Sequence, residues 1–496
     1  MSLLFLPIGL FLPTFSGWLL LRTIEGKTPV LSALERLAAG FIIGLTGTMF
    51  ITFLAHILGL VHLDRTGFLS VQILLTSLLA VSHLLCRQSY RRSEPSCSSA
   101  DRCGSDSSGQ RELDGEVRRN TTWPRWACIL LTLLLLWTLL KFLAAAITFL
   151  FLTPLYVDDA MDNWNLRGKV FFVDQELTLT LPSNSQEASP SSVSTYPPTV
   201  PLVKTWLATL AGTWNEPLVN GIHALWYLAL LALLFGTLRV TVGLGWGFLA
   251  LYLFGSLPLP LLHATNPYAD MFLSAHIGAA ACFLLRALWY PERAKSLRFL
   301  LLSSLPIALL PFTKNEGLLL YFPPLVFALT LSLFHLTHRG IFHRSDALHV
   351  FLWTLFIASF VLLPWLLFKW SHHLTFGNAK SVTSFWPLSW NSESLHAILV
   401  NTFFEGNWLL LFWLFFPLLL WQWRSVLRFP LLPLSASFLL PYLVQITLYT
   451  FTPLAIEAIK QTGYARGLLH LLPIVILLTV LLLHRTLSNV PPEDTR

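Results

Sequence analysis

The chain has 496 residues, of which 55% are hydrophobic and only 11% charged. Soluble domains carry about 25% charged residues, and a soluble chain of this length would need polar surface for roughly three of them. A soluble enzyme, a nucleic-acid binder, a secreted disulfide scaffold and a disordered chain are all excluded; what remains is an all-α polytopic protein of the lipid bilayer. The 19 Trp and 37 Phe suit helices with aromatic ends at the lipid–water boundary. The net charge of +7 is topological, because most Lys and Arg lie in short loops between apolar segments, with no basic run to suggest nucleic acid. The five Cys, Cys86, Cys97, Cys103, Cys128 and Cys282, are scattered and lack metal-site spacing.

A bilayer core takes about 20 apolar residues per helix. Thirteen segments qualify as spans: 4–21, 37–60, 67–86, 126–150, 217–238, 243–262, 268–289, 297–312, 317–336, 348–370, 406–423, 430–451 and 464–485. The span at 297–312 is short and interrupted by proline. The first lacks the positive flank and small-residue cleavage site of a signal peptide, and reads as a retained anchor. With the N-terminus outside and the C-terminus inside, the inner segments hold 21 Lys and Arg and the outer ones 7, as the positive-inside rule asks. Four regions follow: a three-helix membrane segment (1–86), a Ser-, Arg- and acid-rich cytoplasmic linker (87–125) that reads as disordered, a membrane core (126–485) and a short cytoplasmic tail (486–496). The three-helix segment is expected to form an accessory unit beside a ten-helix core.

The long outer loop 153–216 carries seven acids against three bases. It opens TPLYVDDAMDNWNLRGKVFF, where Asp158 falls near a helix start that favours a carboxylate. On that helix Asp159, Asp162 and Asn163 share a face, while Trp164, Leu166 and Val170 give an apolar side. A flexible stretch at 180–195 leads to YPPTVPLVKTWLATLAGTW, a second interfacial helix too short to span, with Trp206 and Trp214 suited to the interface. Carboxylates at an outer mouth could deprotonate an attacking hydroxyl or hold a divalent cation at a leaving phosphate. They could equally be solvated loop acids.

Other ionisable residues gather at outer helix ends. NPYAD sets Asp270 at the start of a span, TKNEG sets Lys314 and Glu316 in a tight turn, and GYARGLLHLLP sets Arg466 and His470 four apart on one helix face. Charges at membrane depth are costly and so are candidates for function, although Lys314 and Arg466 could simply snorkel to headgroups. Two cations beside an acidic mouth suit an anionic headgroup such as a lipid phosphate. Lys141 and Lys369 read as snorkelling or structural charges. His56, His223, His263 and His276 stand alone, without metal spacing, and read as structural.

The ordered set DDAMDNWNLRGKVFF, YPP, YADM, TKNEG and a late Arg followed by Pro resembles the GT-C class of integral-membrane glycosyltransferases. The nearest branch is that of the bacterial relatives of protein O-mannosyltransferases and of the lipid A aminoarabinose transferase; the resemblance covers about 126–485. It implies transfer of a sugar from a polyprenyl-phosphate donor to a glycan, lipid or protein acceptor, on the outer face of a bacterial inner membrane. It further implies an Asp general base in the first large outer loop, here Asp159 or Asp158. The family more often has Asp-Glu there, so the choice between the two stays open. Arg167, Lys169, Lys314 and Arg466 match donor-phosphate contacts, with Glu316 and Asp270 in the same substrate site. No metal ligand set is expected, and a divalent cation is the one cofactor such chemistry allows. A transporter or flippase would need polar, broken helices at mid-membrane. A polysaccharide polymerase or ligase is the competing enzyme; its key Arg and His would be sought in the 371–405 loop, which has His372, His373 and His396 but no Arg.

Overall fold

A computed structural model of the chain describes residues 5–92, 123–153, 159–181, 192–376 and 388–488. Among these residues the protein is all-α, a polytopic membrane protein with ten helices long and apolar enough to cross a bilayer. The helices are α1 (Phe5–Glu25), α2 (Ala33–Ile57), α3 (Arg65–Arg92), α4 (Arg125–Ala146), α5 (Leu166–Asp174), α6 (Thr199–Ala211), α7 (Glu216–Thr241), α8 (Leu244–Gly255), α9 (Pro258–Thr265) and α10 (Asp270–Trp289). They continue with α11 (Arg293–Leu309), α12 (Phe322–His338), α13 (Arg344–Ser371), α14 (Ser392–Phe403), α15 (Leu411–Trp421), α16 (Trp423–Val426), α17 (Leu431–Phe451), α18 (Ala455–Ile459) and α19 (Tyr464–Leu487). The proline-interrupted span is intact: α11 carries Pro306 within it and runs on through a tight turn to Phe312.

Three of the thirteen expected spans are not among those ten: the first, 4–21, forms α1, and the other two are broken or short. The segment 243–262 is α8 and α9, bent by 74°; it joins the end of α7 expected on the inner side to the end of α10 expected on the outer side. Pro258 at the start of α9 enforces the break, and the Lys141 ammonium donates to the Ser256 carbonyl left free there (3.0 Å). The segment 406–423 yields only the 11-residue α15, about 16 Å long at 1.5 Å per residue and short of the ~30 Å hydrocarbon core.

Helices α10 and α19 are the most enclosed, with 94% and 89% of their apolar windows buried, whereas α4 at 6% faces outward. The first three helices do not stand apart. Gly17 of α1 lies directly on the backbone of Gly40 and Gly44 of α2, where a Cβ has no room; this is the small-residue crossing that lets membrane helices approach closely. Phe50 and Phe53 of α2 pack on Phe312 at 5.1 and 5.2 Å between ring centroids, and Thr46 meets His276 of α10 at 3.0 Å. These contacts join α2 to α10 and to the turn at Phe312. At the inner end Ser32 caps α2 with Glu35 in a capping box, and the Glu35 carboxylate also takes Arg286 of α10 at 2.5 Å.

Both helices expected in the 153–216 loop form. The second, α6, is apolar nearly all round and therefore buried rather than laid on lipid. Its Trp206 is enclosed, donating to the Gly9 carbonyl (2.7 Å) and packing on Phe68.

Candidate active site

Four separate stretches of chain converge at one end of the bundle, the end that the charge bias leads one to expect on the outer side. A π-helical turn over Ala160–Asn165 follows Asp159 and runs into α5. The second stretch is the N-terminus of α10, where Asp270 lies in the first turn, the end that favours a carboxylate. The third is the Lys314–Glu316 turn ahead of a π-helical turn, Gly317–Tyr321, and the fourth is the first turn of α19 with Arg466.

Asp270 is fully buried, and four basic side chains close on it. Lys314 Nζ donates to Oδ1 at 2.9 Å, His470 Nε2 lies 2.8 Å from the same oxygen, Arg466 reaches Oδ2 at 3.0 Å, and His263 Nδ1 lies 3.4 Å from Oδ2. Arg466 then extends its other nitrogen to Asp159 Oδ2 at 2.5 Å, and Lys314 reaches Glu316 at 3.3 Å. The result is a chain of alternating charge, Asp159–Arg466–Asp270–Lys314–Glu316. Buried ions survive only when paired in this way. Exposure rises toward the mouth: the Asp270 side chain is 0% exposed, Arg466 25% and Asp159 42%. Burial pushes the Glu316 carboxyl up, but the Lys314 ammonium, His470 and a backbone hydrogen bond together hold the group below its ordinary value. Behind the cluster, Tyr321 joins His470 Nδ1 at 3.0 Å and accepts from Gln445 at 3.1 Å. Arg466 also lies over the Tyr268 ring at 5.3 Å.

Of the residues singled out by sequence, Asp159, Asp270, Lys314, Glu316 and Arg466 are brought together. Arg167 and Lys169 are not. The Arg167 guanidinium is buried and donates to the Tyr196 carbonyl (2.9 Å) and to Asn163 (3.5 Å), while Lys169 is exposed on the far side of α5. Asp158 lies outside the described residues. The expected shared face of Asp159, Asp162 and Asn163 does not form, because the π-helical turn sets Asp162 in the open and buries Asn163. Among the described residues no group of three or more His, Cys, Asp or Glu side chains is arranged to hold a metal ion.

Several residues at the site escaped sequence reasoning. His263 is expected to be a lone structural histidine, yet it belongs to the Asp270 cluster. His56 and His276 do serve local structure: His56 bonds Val61 and Leu177, and His276 bonds Phe272 and Thr46. Lys204, fully buried in α6, donates to Asn165 (2.5 Å) and Asn220 (3.0 Å) and ties the acidic turn to α7; burial pulls its ammonium well below the usual lysine value. A solitary lysine within an otherwise apolar helix was its available signal. Lys369 of α13, expected to snorkel or to be a structural charge, is a buried structural one that donates to the Thr195 carbonyl (2.5 Å) and to Asn315 (3.4 Å).

No protein-family model matches the chain, and no curated protein matches its sequence. Among solved structures it is similar to ArnT from Cupriavidus metallidurans bound to undecaprenyl phosphate, with a TM-score of 0.49 and 14% identity over 70% of this chain and 59% of that one. The apo state of the same protein gives a TM-score of 0.46 and 18% identity over 69% of this chain and 59% of that one. The match thus spans less than two thirds of the length of those chains.

Proposed function

We propose that this protein is a membrane glycosyltransferase that moves a sugar from a polyprenyl-phosphate donor to an envelope acceptor, whether glycan, lipid or protein, at the periplasmic face of a bacterial inner membrane. The observation that carries the reading is the Asp159–Arg466–Asp270–Lys314 array, in which a half-exposed carboxylate stands beside two cations fixed by a buried one. The ordered motifs and the 21 to 7 bias of Lys and Arg toward the inner side agree with it.

In this reading Asp159 takes the proton from the acceptor hydroxyl. The acceptor oxygen bonds to the anomeric carbon as the bond from that carbon to the phosphate oxygen breaks, and the electron pair leaves with the polyprenyl phosphate. The departing phosphate gains negative charge, and Arg466 and Lys314, held in place by Asp270, stand where charge-assisted bonds can meet it. A donor whose lipid chain stays in the outer leaflet delivers its phosphate at the depth of these residues.

The test is transfer by the purified protein in detergent from a polyprenyl-phosphate sugar. Asp159→Asn should lose 10²–10⁴-fold in rate, the usual contribution of a general base, with unchanged melting. Near-normal transfer by Asp159→Asn combined with Asp158→Asn, or activity with a soluble nucleotide sugar alone, would overturn the reading.

A further inference from the structure

The turn before α6 is held in an unusual way. Arg167 of α5 donates to the Tyr196 carbonyl at 2.9 Å, and Lys369 of α13 donates to the preceding carbonyl, that of Thr195, at 2.5 Å. Both cations are buried, and among the described residues neither has a carboxylate partner. Lys369 is further enclosed by the Trp365 and Phe376 rings at 5.0 and 4.8 Å. Burying two positive charges against neutral backbone is costly unless the geometry is needed. Pro197 and Pro198 follow at once and fix the backbone on the other side. Tyr196 is therefore clamped from both directions, although it lies in a connecting segment.

The clamp sets the Tyr196 ring edge-on to Trp164 at 5.6 Å, half-buried at the outer mouth. Burial raises its hydroxyl well above the ordinary tyrosine value, and the nearby Glu316 carboxylate adds to this; Arg466, Asp159 and Asp270 are close enough to act on it as well. The group stays a neutral O–H at any physiological pH. Among the described residues this hydroxyl has no hydrogen-bond partner. A neutral donor on an aromatic ring, beside carboxylates and cations already paired with one another, suits a polyhydroxylated ring: the C–H face of a sugar packs on the aromatic face, and a sugar hydroxyl takes the O–H.

We propose that Tyr196 contacts the sugar of the donor, and that Arg167 and Lys369 are positioning residues that fix it through the two successive carbonyls. The inference rests on the transferase reading and adds to it the part of the site that distinguishes a glycosylated lipid from a bare one. It also gives Arg167 and Lys369 a task in a place where neither touches the phosphate-facing cations.

The experiment compares binding of a polyprenyl-phosphate sugar with that of bare polyprenyl phosphate to the full-length protein in detergent. Wild type should prefer the glycosylated lipid. Tyr196→Leu should cut that preference by about tenfold, the size expected for losing one well-packed aromatic contact with its hydrogen bond, while bare-lipid affinity stays within about twofold. Tyr196→Phe should fall between the two. Lys369→Met and Arg167→Gln should lose the same preference, and Arg167→Lys should recover part of it. A purely structural role would weaken both lipids together. Equal weakening of both lipids, or an unchanged preference in Tyr196→Leu, overturns the inference and leaves the transferase reading standing. Failure of wild type to bind either lipid overturns both.

Discussion

The two ends of the bundle both bury ion pairs, and they bury them differently. At the inner end, Glu25 takes Arg36 at 2.8 Å together with the Val30 and Leu31 amides, and Glu35 takes Arg286, which also bonds the Val30 carbonyl and the Tyr290 hydroxyl. Each acid there has its principal base, and the surrounding polar groups fill most of the remaining valences. At the outer end one carboxylate, Asp270, holds four basic groups, and the charge chain runs out to Asp159 and Arg466, which are partly open. A closed pair ties helices together. A network that ends at the surface with charge still accessible keeps its last members available to a ligand. Burial and pairing alone do not separate the two; where the network terminates does.

The largest expected effect that sharpens this contrast is at the hub. Asp270→Asn leaves Lys314 and Arg466 without their shared carboxylate, and removing one partner of a buried ionic group typically costs 3–5 kcal/mol. Both thermal melting in detergent and transfer should suffer. A stable Asp270→Asn protein with normal kinetics would show that the outer network is ornamental to the fold and to the site alike.

The inner end should behave otherwise. Glu35→Ala strands Arg286 and should cost a comparable 3–5 kcal/mol, read as a lowered melting temperature, yet the KM for donor should not move in whatever protein remains folded. The double replacement Glu35→Leu with Arg286→Met should recover much of the loss, because well-packed apolar residues often replace a buried pair without penalty. Altered donor KM in the double variant would break the division between the two ends.

Much of the fold was legible in the sequence because long apolar runs have no alternative in a bilayer; each of the thirteen segments corresponds to a helix or helix pair among the described residues. The 74° break between α8 and α9 was not, although Pro258 marked its place, because hydropathy averages over a window and is blind to direction. The site was half legible. Asp159, Lys314, Glu316 and Arg466 announced themselves as charges at helix ends facing one side. His263 did not, because its partner Asp270 lies across a helix break and neither spacing nor period links them. Lys369 was hidden for a related reason: its stem lies in an apolar span, and only the tertiary fold brings the Thr195 carbonyl to its tip.

The smallest expected effect separates sequence from geometry most directly. By the family resemblance, Lys169 and Arg466 are both candidates for the donor phosphate. In the structure Arg466 bridges Asp159 and Asp270, whereas Lys169 is exposed on α5 with no ion pair among the described residues. An exposed lysine contributes at most about 1 kcal/mol to any one contact and is screened by salt. Arg466→Ala should therefore raise the donor KM by about tenfold or more, as expected for loss of a charge-assisted bond, with the acceptor KM unchanged. Lys169→Ala should change the donor KM by less than about threefold, and any change should fade in high salt. Equal effects of the two substitutions at high salt would mean that the acidic turn and α5 rearrange when donor binds, bringing Lys169 round to the phosphate, and the contrast drawn from this arrangement would hold only for the protein without its substrate.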